Sequence, residues 1–328
     1  MWLSLLLLWS CAGDDDVKPD DSAATDDSGG EGGEGGEGSG DSGPDPDTVA
    51  LDGVCADDVH YGNFTVESTP SYAYINGAVT NGVVPATILT ALTTVGDCTL
   101  WRRENPYCDP SCDPGYTCDF DGSCVEYPEG QDLGTVTVDG LLSPVSMDPV
   151  DPGALYFNTS LGNPPWDPGS LVTLQTGGGV YDPITLYGVA PDDLTVETTE
   201  WVVTQGQPLA VAWTAPASTS RAKVRVTVNI DQHGTTPVTA VCWFDDDGAA
   251  EVPSEVIDGL VTLGVTGFPS GTIARQTVDN AAAGAGCADL TLSSSRTPTV
   301  SVYGYTPCFS SEDCPEGTEC NLELQRCE

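Results

Sequence analysis

The stretch that most restricts this chain is Val224-Arg225-Val226-Thr227-Val228-Asn229-Ile230, in which every second residue is apolar. A period of two is what a half-buried strand requires, with one face on a core and the other in water. Leu209, Val211 and Trp213 alternate in the same way just before it. Val238, Ala240, Cys242 and Phe244 do so just after, ahead of a turn at Asp245-Asp246-Asp247-Gly248. Three such segments with short connections read as consecutive strands of a sandwich. Further strands are predicted over 63–67, 71–78, 134–138, 170–176, 184–187, 273–277, 289–292 and 299–303. Helical periodicity is nearly absent. One short helix is predicted, with Pro253 in its first turn, Val256, Ile257, Leu260 and Val261 on one face and Gly264 at its end. It would cap one end of a sandwich. The fold class is therefore all-β: an immunoglobulin-like antiparallel β-sandwich over 195–305, and a second β unit over 51–104 that continues over 128–194.

Cysteine usage adds a covalent frame. The chain has 13 cysteines. Cys108, Cys112, Cys118 and Cys124 form one compact module (105–127), and Cys308, Cys314, Cys320 and Cys327 repeat its spacing in a second (306–328). Pieces this short cannot bury a core, so disulfides must hold them. The pairing expected in each is first to third and second to fourth. Their role is read as rigid spacers, with a protein-contact knob as the alternative. Cys55, Cys98, Cys242 and Cys287 remain, and the two-unit division predicts Cys55–Cys98 and Cys242–Cys287. Zinc is disfavoured, because His60 and His233 are the only histidines.

The thirteenth cysteine is Cys11. It follows the apolar run Trp2–Trp9, which is too short for a membrane-spanning helix. Leu8-Trp9-Ser10-Cys11 resembles the lipobox of bacterial lipoproteins, although no Lys or Arg precedes the run and Trp9 replaces a small residue. The resemblance implies a signal peptide over 1–10 and lipidation of Cys11. Lipidation of Cys11 would leave an even set of cysteines for an oxidising compartment. Residues 11–50 then form a disordered acidic linker, with Glu31, Glu34 and Glu37 in Glu-Gly-Gly repeats. Such a tether lifts a folded body clear of lipid. The implied localisation is a membrane-anchored exported lipoprotein, at the outer membrane or cell surface.

A net charge of −41 excludes a nucleic-acid-binding role, which needs Lys and Arg against phosphates. Arg221, Lys223 and Arg225 alternate along a strand and read as a solvated face. No Gly-x-Ser-x-Gly elbow, His-Glu-x-x-His pair or nucleotide loop is present, and Thr176-Gly177-Gly178-Gly179 reads as a turn. Asp231-Gln232-His233 could place a carboxylate and an imidazole on one strand face for a metal. The Gly234 that follows favours a hairpin turn instead. Asp119-Phe120-Asp121-Gly122 starts like a calcium loop but lacks the terminal glutamate, so it too reads as a turn. No catalytic, cofactor-binding or metal residue is assigned, and no cofactor is expected. Among Trp101, Trp166, Trp201, Trp213 and Trp243, Trp213 is in phase with core positions. Trp243 is out of phase with Cys242 and Phe244, which makes it the candidate partner contact.

Four further segments carry a family likeness. They are Gly77-Ala78-Val79 with Val84-Pro85, Asn105-Pro106-Tyr107-Cys108-Asp109-Pro110, Asn229-Ile230-Asp231-Gln232-His233-Gly234, and Gly264-Val265-Thr266-Gly267-Phe268-Pro269-Ser270-Gly271. Through them the region from Cys55 to Tyr305 resembles secreted lipoproteins of myxobacterial type. The resemblance implies a surface lipoprotein with small cystine knots and implies no activity. The function expected is a lipid-anchored surface protein that binds a protein or glycan partner or builds an envelope layer. The alternative is an envelope glycan hydrolase using paired carboxylates.

Overall fold

A computed structural model describes residues 44–217, 221–230 and 237–328. Cys11, the lipobox and Asp231-Gln232-His233 lie outside the described residues. The N-terminal strands are β1 (His60–Ser68), β2 (Ala73–Val79), β3 (Leu89–Val95) and β4 (Cys98–Arg103). The first cysteine module carries the hairpin β5 (Tyr116–Cys118) and β6 (Cys124–Glu126). Next come β7 (Val136–Asp139), β8 (Val145–Met147), β9 (Tyr156–Leu161), β10 (Leu171–Thr176) and β11 (Thr185–Val189). After them run β12 (Glu200–Val203), β13 (Leu209–Ala212), β14 (Lys223–Asn229), β15 (Val238–Asp245) and β16 (Ala249–Val252). Helix α1 (Ser254–Leu263) precedes β17 (Ser270–Ala283), β18 (Gly286–Arg296) and β19 (Thr299–Val302). The second module ends the chain with β20 (Cys320–Asn321) and β21 (Arg326–Cys327). The protein is all-β with this one α-helix among the described residues, and that helix is not long and apolar enough to cross a membrane.

A nine-stranded sheet organises the body, in the order β3-β4-β15-β14-β17-β18-β1-β2-β9. Its pairings are antiparallel except β1 with β18. Alternation decides which side is covered. Val224, Val226 and Val228 of β14, Ile273 of β17, Leu290 and Leu292 of β18, and Phe64 and Val66 of β1 share one face and are fully buried. Each such side chain contributes about 2 kcal/mol on removal from water.

Two apolar clusters lie side by side under that face. The first is closed by the pairs β12–β19 and β13–β16 and by α1, through Trp201, Val211, Trp213, Ile257 and Leu260. The second is closed by the four-stranded sheet β11-β10-β7-β8, through Leu133, Val138, Leu174 and Leu186. A polar seam separates them. Arg275, 1% exposed, forms an ion pair with Asp246 through Nε at 2.6 Å and donates from Nη2 to the Asp246 carboxylate at 2.9 Å. It also donates to the carbonyls of Thr214 and Asp193, and Trp213 Nε1 donates to Asp246. Its partners come from three connections, β11–β12, β13–β14 and β15–β16.

This architecture corrects the division into two β units. Strands from 51–104 and from 195–305 alternate within one sheet, so residues 195–305 form a sandwich whose large layer is shared with β1, β2 and β4. The disulfide expectation falls with it. The bridges are Cys55–Cys287 and Cys98–Cys242, and not Cys55–Cys98 and Cys242–Cys287. The reason is register: β4 sets Cys98 directly opposite Cys242 on β15, and β1 enters beside β18 at the pair His60 and Cys287. In the modules the bridges are Cys108–Cys118 and Cys112–Cys124, and Cys308–Cys320 and Cys314–Cys327. That is first to third and second to fourth in each. The second module is docked on the body, with Gly267 N–H donating to the Leu324 carbonyl and Phe268 stacked on Phe309.

Candidate functional site

Among the described residues, the opposite face of the nine-stranded sheet has no second layer over β14, β17, β18 and β1. Alternation points Arg225 and Thr227, Thr272, Ala274 and Gln276, Ser293 and Ser295, and Glu67 outward there, and together they line a depression of about 250 Å³. Small side chains on β17 and β18 make its floor, and the long side chains of β14 and β1 make its walls. The trough therefore follows directly from which residues sit on the inner and outer strands.

Its two walls carry opposite charges. Arg225 lies with its guanidinium carbon 5.7 Å from the centre of the Trp243 ring, its cross-strand partner on β15. This is a cation–π contact that holds the arginine against the face. Burial lowers the Arg225 pKa, since it disfavours the charged form. Opposite it, burial pushes the Glu67 carboxyl up, against the hydroxyls of Ser295 and Ser293 and the charge of Arg296, which pull it down. Tyr74 is paired with Glu67 across β1 and β2, and its phenol is raised by burial and by the Glu67 charge. Among the described residues, neither Arg225 Nε nor Glu67 Oε1 has a hydrogen-bond partner, and both atoms are buried. Two partly desolvated charges of opposite sign, held at fixed positions on one open face, mark this depression as the candidate contact site.

Trp243 faces this side, as its phase predicts, but it is half-buried and partly covered by Arg225. Its ring supports the arginine more than it offers a free stacking surface. Trp213, Trp201 and Trp166 are core residues. The solvated reading of Arg221, Lys223 and Arg225 needs correction at one position. Lys223 is exposed and pairs with Asp245, whereas Arg225 is drawn into the depression by Trp243. Glu67 carried no distinguishing sequence signal among 50 acidic residues. Only the pairing of β1 with β18, set by chain far away, brings it opposite Arg225.

The depression has one carboxyl in its lining, whereas glycoside hydrolysis uses two. In the cysteine groupings close enough to share a metal among the described residues, every sulfur is disulfide-bonded and lacks the thiolate charge that ligation needs, which leaves Asp289 as the one carboxylate in the Cys55–Cys287 group. Asp119 and Asp121 form a turn, with Gly122 N–H donating to the Asp119 carbonyl and Ser123 N–H to the Asp121 carboxylate.

No protein-family model matches the chain, and no curated protein matches it. Among solved structures, a 1.5-MDa bacterial ice-binding adhesin, described for its host cell surface retention, is similar over 74% of this chain and 98% of the matched one. The identity is 13% and the TM-score 0.17. A likeness this slight carries no further argument.

Proposed function

We propose that this is a lipid-anchored cell-surface protein, of the lipoprotein type its N-terminus and motifs resemble, whose open sheet face binds a protein or glycan partner. The observation that carries the reading is the pair of opposite, partly desolvated charges, Arg225 and Glu67, on the side of the sheet that the described residues leave open, while β14, β17, β18 and β1 bury their other side. The Ser293 and Ser295 hydroxyls hold Glu67 and the Trp243 ring holds Arg225, so the fold keeps two opposite charges at fixed positions on an open face. Export is supported by the sulfur chemistry: the twelve cysteines of the described body form six disulfides, a density suited to an oxidising compartment. Cys11 then stands apart for a lipid, and the acidic Gly-rich stretch before residue 51 is the tether its composition predicts.

The test is retention of the full oxidised chain on immobilised envelope preparations, comparing the native sequence with Arg225→Met and Glu67→Gln. Each substitution removes a charge-assisted hydrogen bond and is expected to weaken retention about tenfold. Retention unchanged in both variants would remove the open face as the docking surface.

A further inference from the structure

One edge of the nine-stranded sheet is built differently from the other. Among the described residues β3 pairs with β4 alone, so the backbone N–H and C=O groups of its outer side have no strand to bond. Proteins blunt such edges with charge, proline or shortness. β3, Leu89-Thr90-Ala91-Leu92-Thr93-Thr94-Val95, has seven residues without a charge or a proline, in a chain with 50 acidic residues. Five of them are exposed, while Leu92 and Val95 pack on the first apolar cluster. A bulge between Ala91 and Thr93 lets Leu92 do so. At the opposite edge, β9 satisfies its own backbone: Asn158 Oδ1 accepts the Ser160 N–H, and Leu155 just before it is bonded back to Val150.

The two ends of β3 carry opposite charges. Arg103 lies opposite Leu89 on β4 and is exposed. Its Nε donates to the carbonyl of Ala86, which holds the guanidinium over the chain that leads into β3. Among the described residues it forms no ion pair. At the other end Gly96-Asp97 turns the chain into β4, with Asp97 exposed. This edge is self-complementary in one orientation. Antiparallel pairing with β3 of a second copy, centred on Leu92, sets Leu89 against Val95 of that copy. Each Arg103 then points at Asp97 of the other copy across two strand steps of about 4.8 Å, most of which an arginine side chain spans. The two charges come within the roughly 8 Å over which they act at physiological salt. Parallel pairing would instead bring the two arginine ends together. We propose that the protein forms a two-fold dimer through β3, extending the sheet across both copies.

Sedimentation equilibrium of the full oxidised chain tests this. The mass is expected to rise from 34.0 kDa towards twice that value, with a dissociation constant in the micromolar range. Ala91→Lys places like charges across the two-fold axis and should weaken the dimer at least about tenfold, with the melting temperature unchanged. Arg103→Asp and Asp97→Arg should each weaken it about tenfold, and the two together should restore it. A chain that stays monomeric up to roughly 100 µM, or a dimer indifferent to Ala91→Lys, would overturn the proposal. Charge reversals without effect, or a combination that fails to restore the dimer, would reject the antiparallel pairing. A monomer whose retention on envelope preparations falls with Ala91→Lys would give the edge to another partner and reject the second copy.

Discussion

Cys98 and Cys242 stand directly opposite each other on β4 and β15, their Cα atoms 4.0 Å apart, joined by a disulfide that spans 144 residues of chain. Both are fully buried in the first apolar cluster. Cys55–Cys287 spans 232 residues more superficially, where the Cys55 N–H donates to Asp289 at 2.9 Å. The two bonds fasten the first strands of the chain to the last, so the sheet they share is closed covalently as well as by pairing.

Replacing Cys98 and Cys242 together by alanine should therefore be costly. The chain-entropy model assigns a loop of this length about 5 kcal/mol, and native disulfides typically contribute about 2–5 kcal/mol. Urea denaturation of the double variant is expected to lose stability in that range. A loss below about 1 kcal/mol would mean that the strand pairing holds without the bond.

Arg275→Met isolates the role of the polar seam. The Asp246 side chain is 3% exposed, and removing the guanidinium leaves its carboxylate buried with Trp213 Nε1 as its remaining side-chain donor. Breaking one side of a buried ion pair costs about 3–5 kcal/mol, whereas replacing both partners with uncharged residues is far milder. Arg275→Met combined with Asp246→Asn should recover most of the loss in denaturant melts. A double variant as unstable as the single one would contradict this account of the seam.

The Glu67 carboxyl, raised above its ordinary value of 4.5 by burial, sets a pH dependence. The folded chain holds this proton to higher pH than the unfolded chain. The contribution to stability is therefore full below the ordinary value and is lost as pH rises through the folded one. Glu67→Gln removes that loss. The variant should melt at a higher temperature than the native sequence near pH 7 and at the same temperature near pH 3. A gain that persists undiminished at low pH would assign it to packing instead of ionisation.

The strands were legible in the sequence because period-two alternation is local: Val224–Ile230, Leu209–Trp213 and Val238–Phe244 each report their own buried face. Helix α1 was legible for a similar reason, with Pro253 before it, Val256, Ile257 and Leu260 buried, and Gly264 at φ 113° after it. What alternation cannot report is the neighbour. Nothing near Cys98 marks Cys242 as its partner, and nothing near Glu67 marks β18 as the strand beside it. The pairings that failed, and the wall of the site that went unseen, are those set by register between segments more than a hundred residues apart. Arg225 was visible but misassigned, because its burial depends on Trp243 across the strand pair.

Gly77→Ala probes that register from within. Gly77 pairs with Phe64, whose ring lies over it, and a Cβ there would overlap the ring. Overpacking of this kind costs about 1–3 kcal/mol, since Phe64 is fully buried and tilted against Tyr156 at 5.8 Å. A matching drop in denaturation midpoint is expected; a neutral substitution would place the Phe64 ring elsewhere.

Mass spectrometry of the native protein, intact and after non-reducing digestion, bears most directly on the proposal of an exported, acylated surface protein. The account predicts a mature N-terminus at a diacylglyceryl-modified Cys11, no free thiols, and peptides joining Cys55 to Cys287 and Cys98 to Cys242. An unmodified Cys11, or free thiols among the other twelve cysteines, would contradict it.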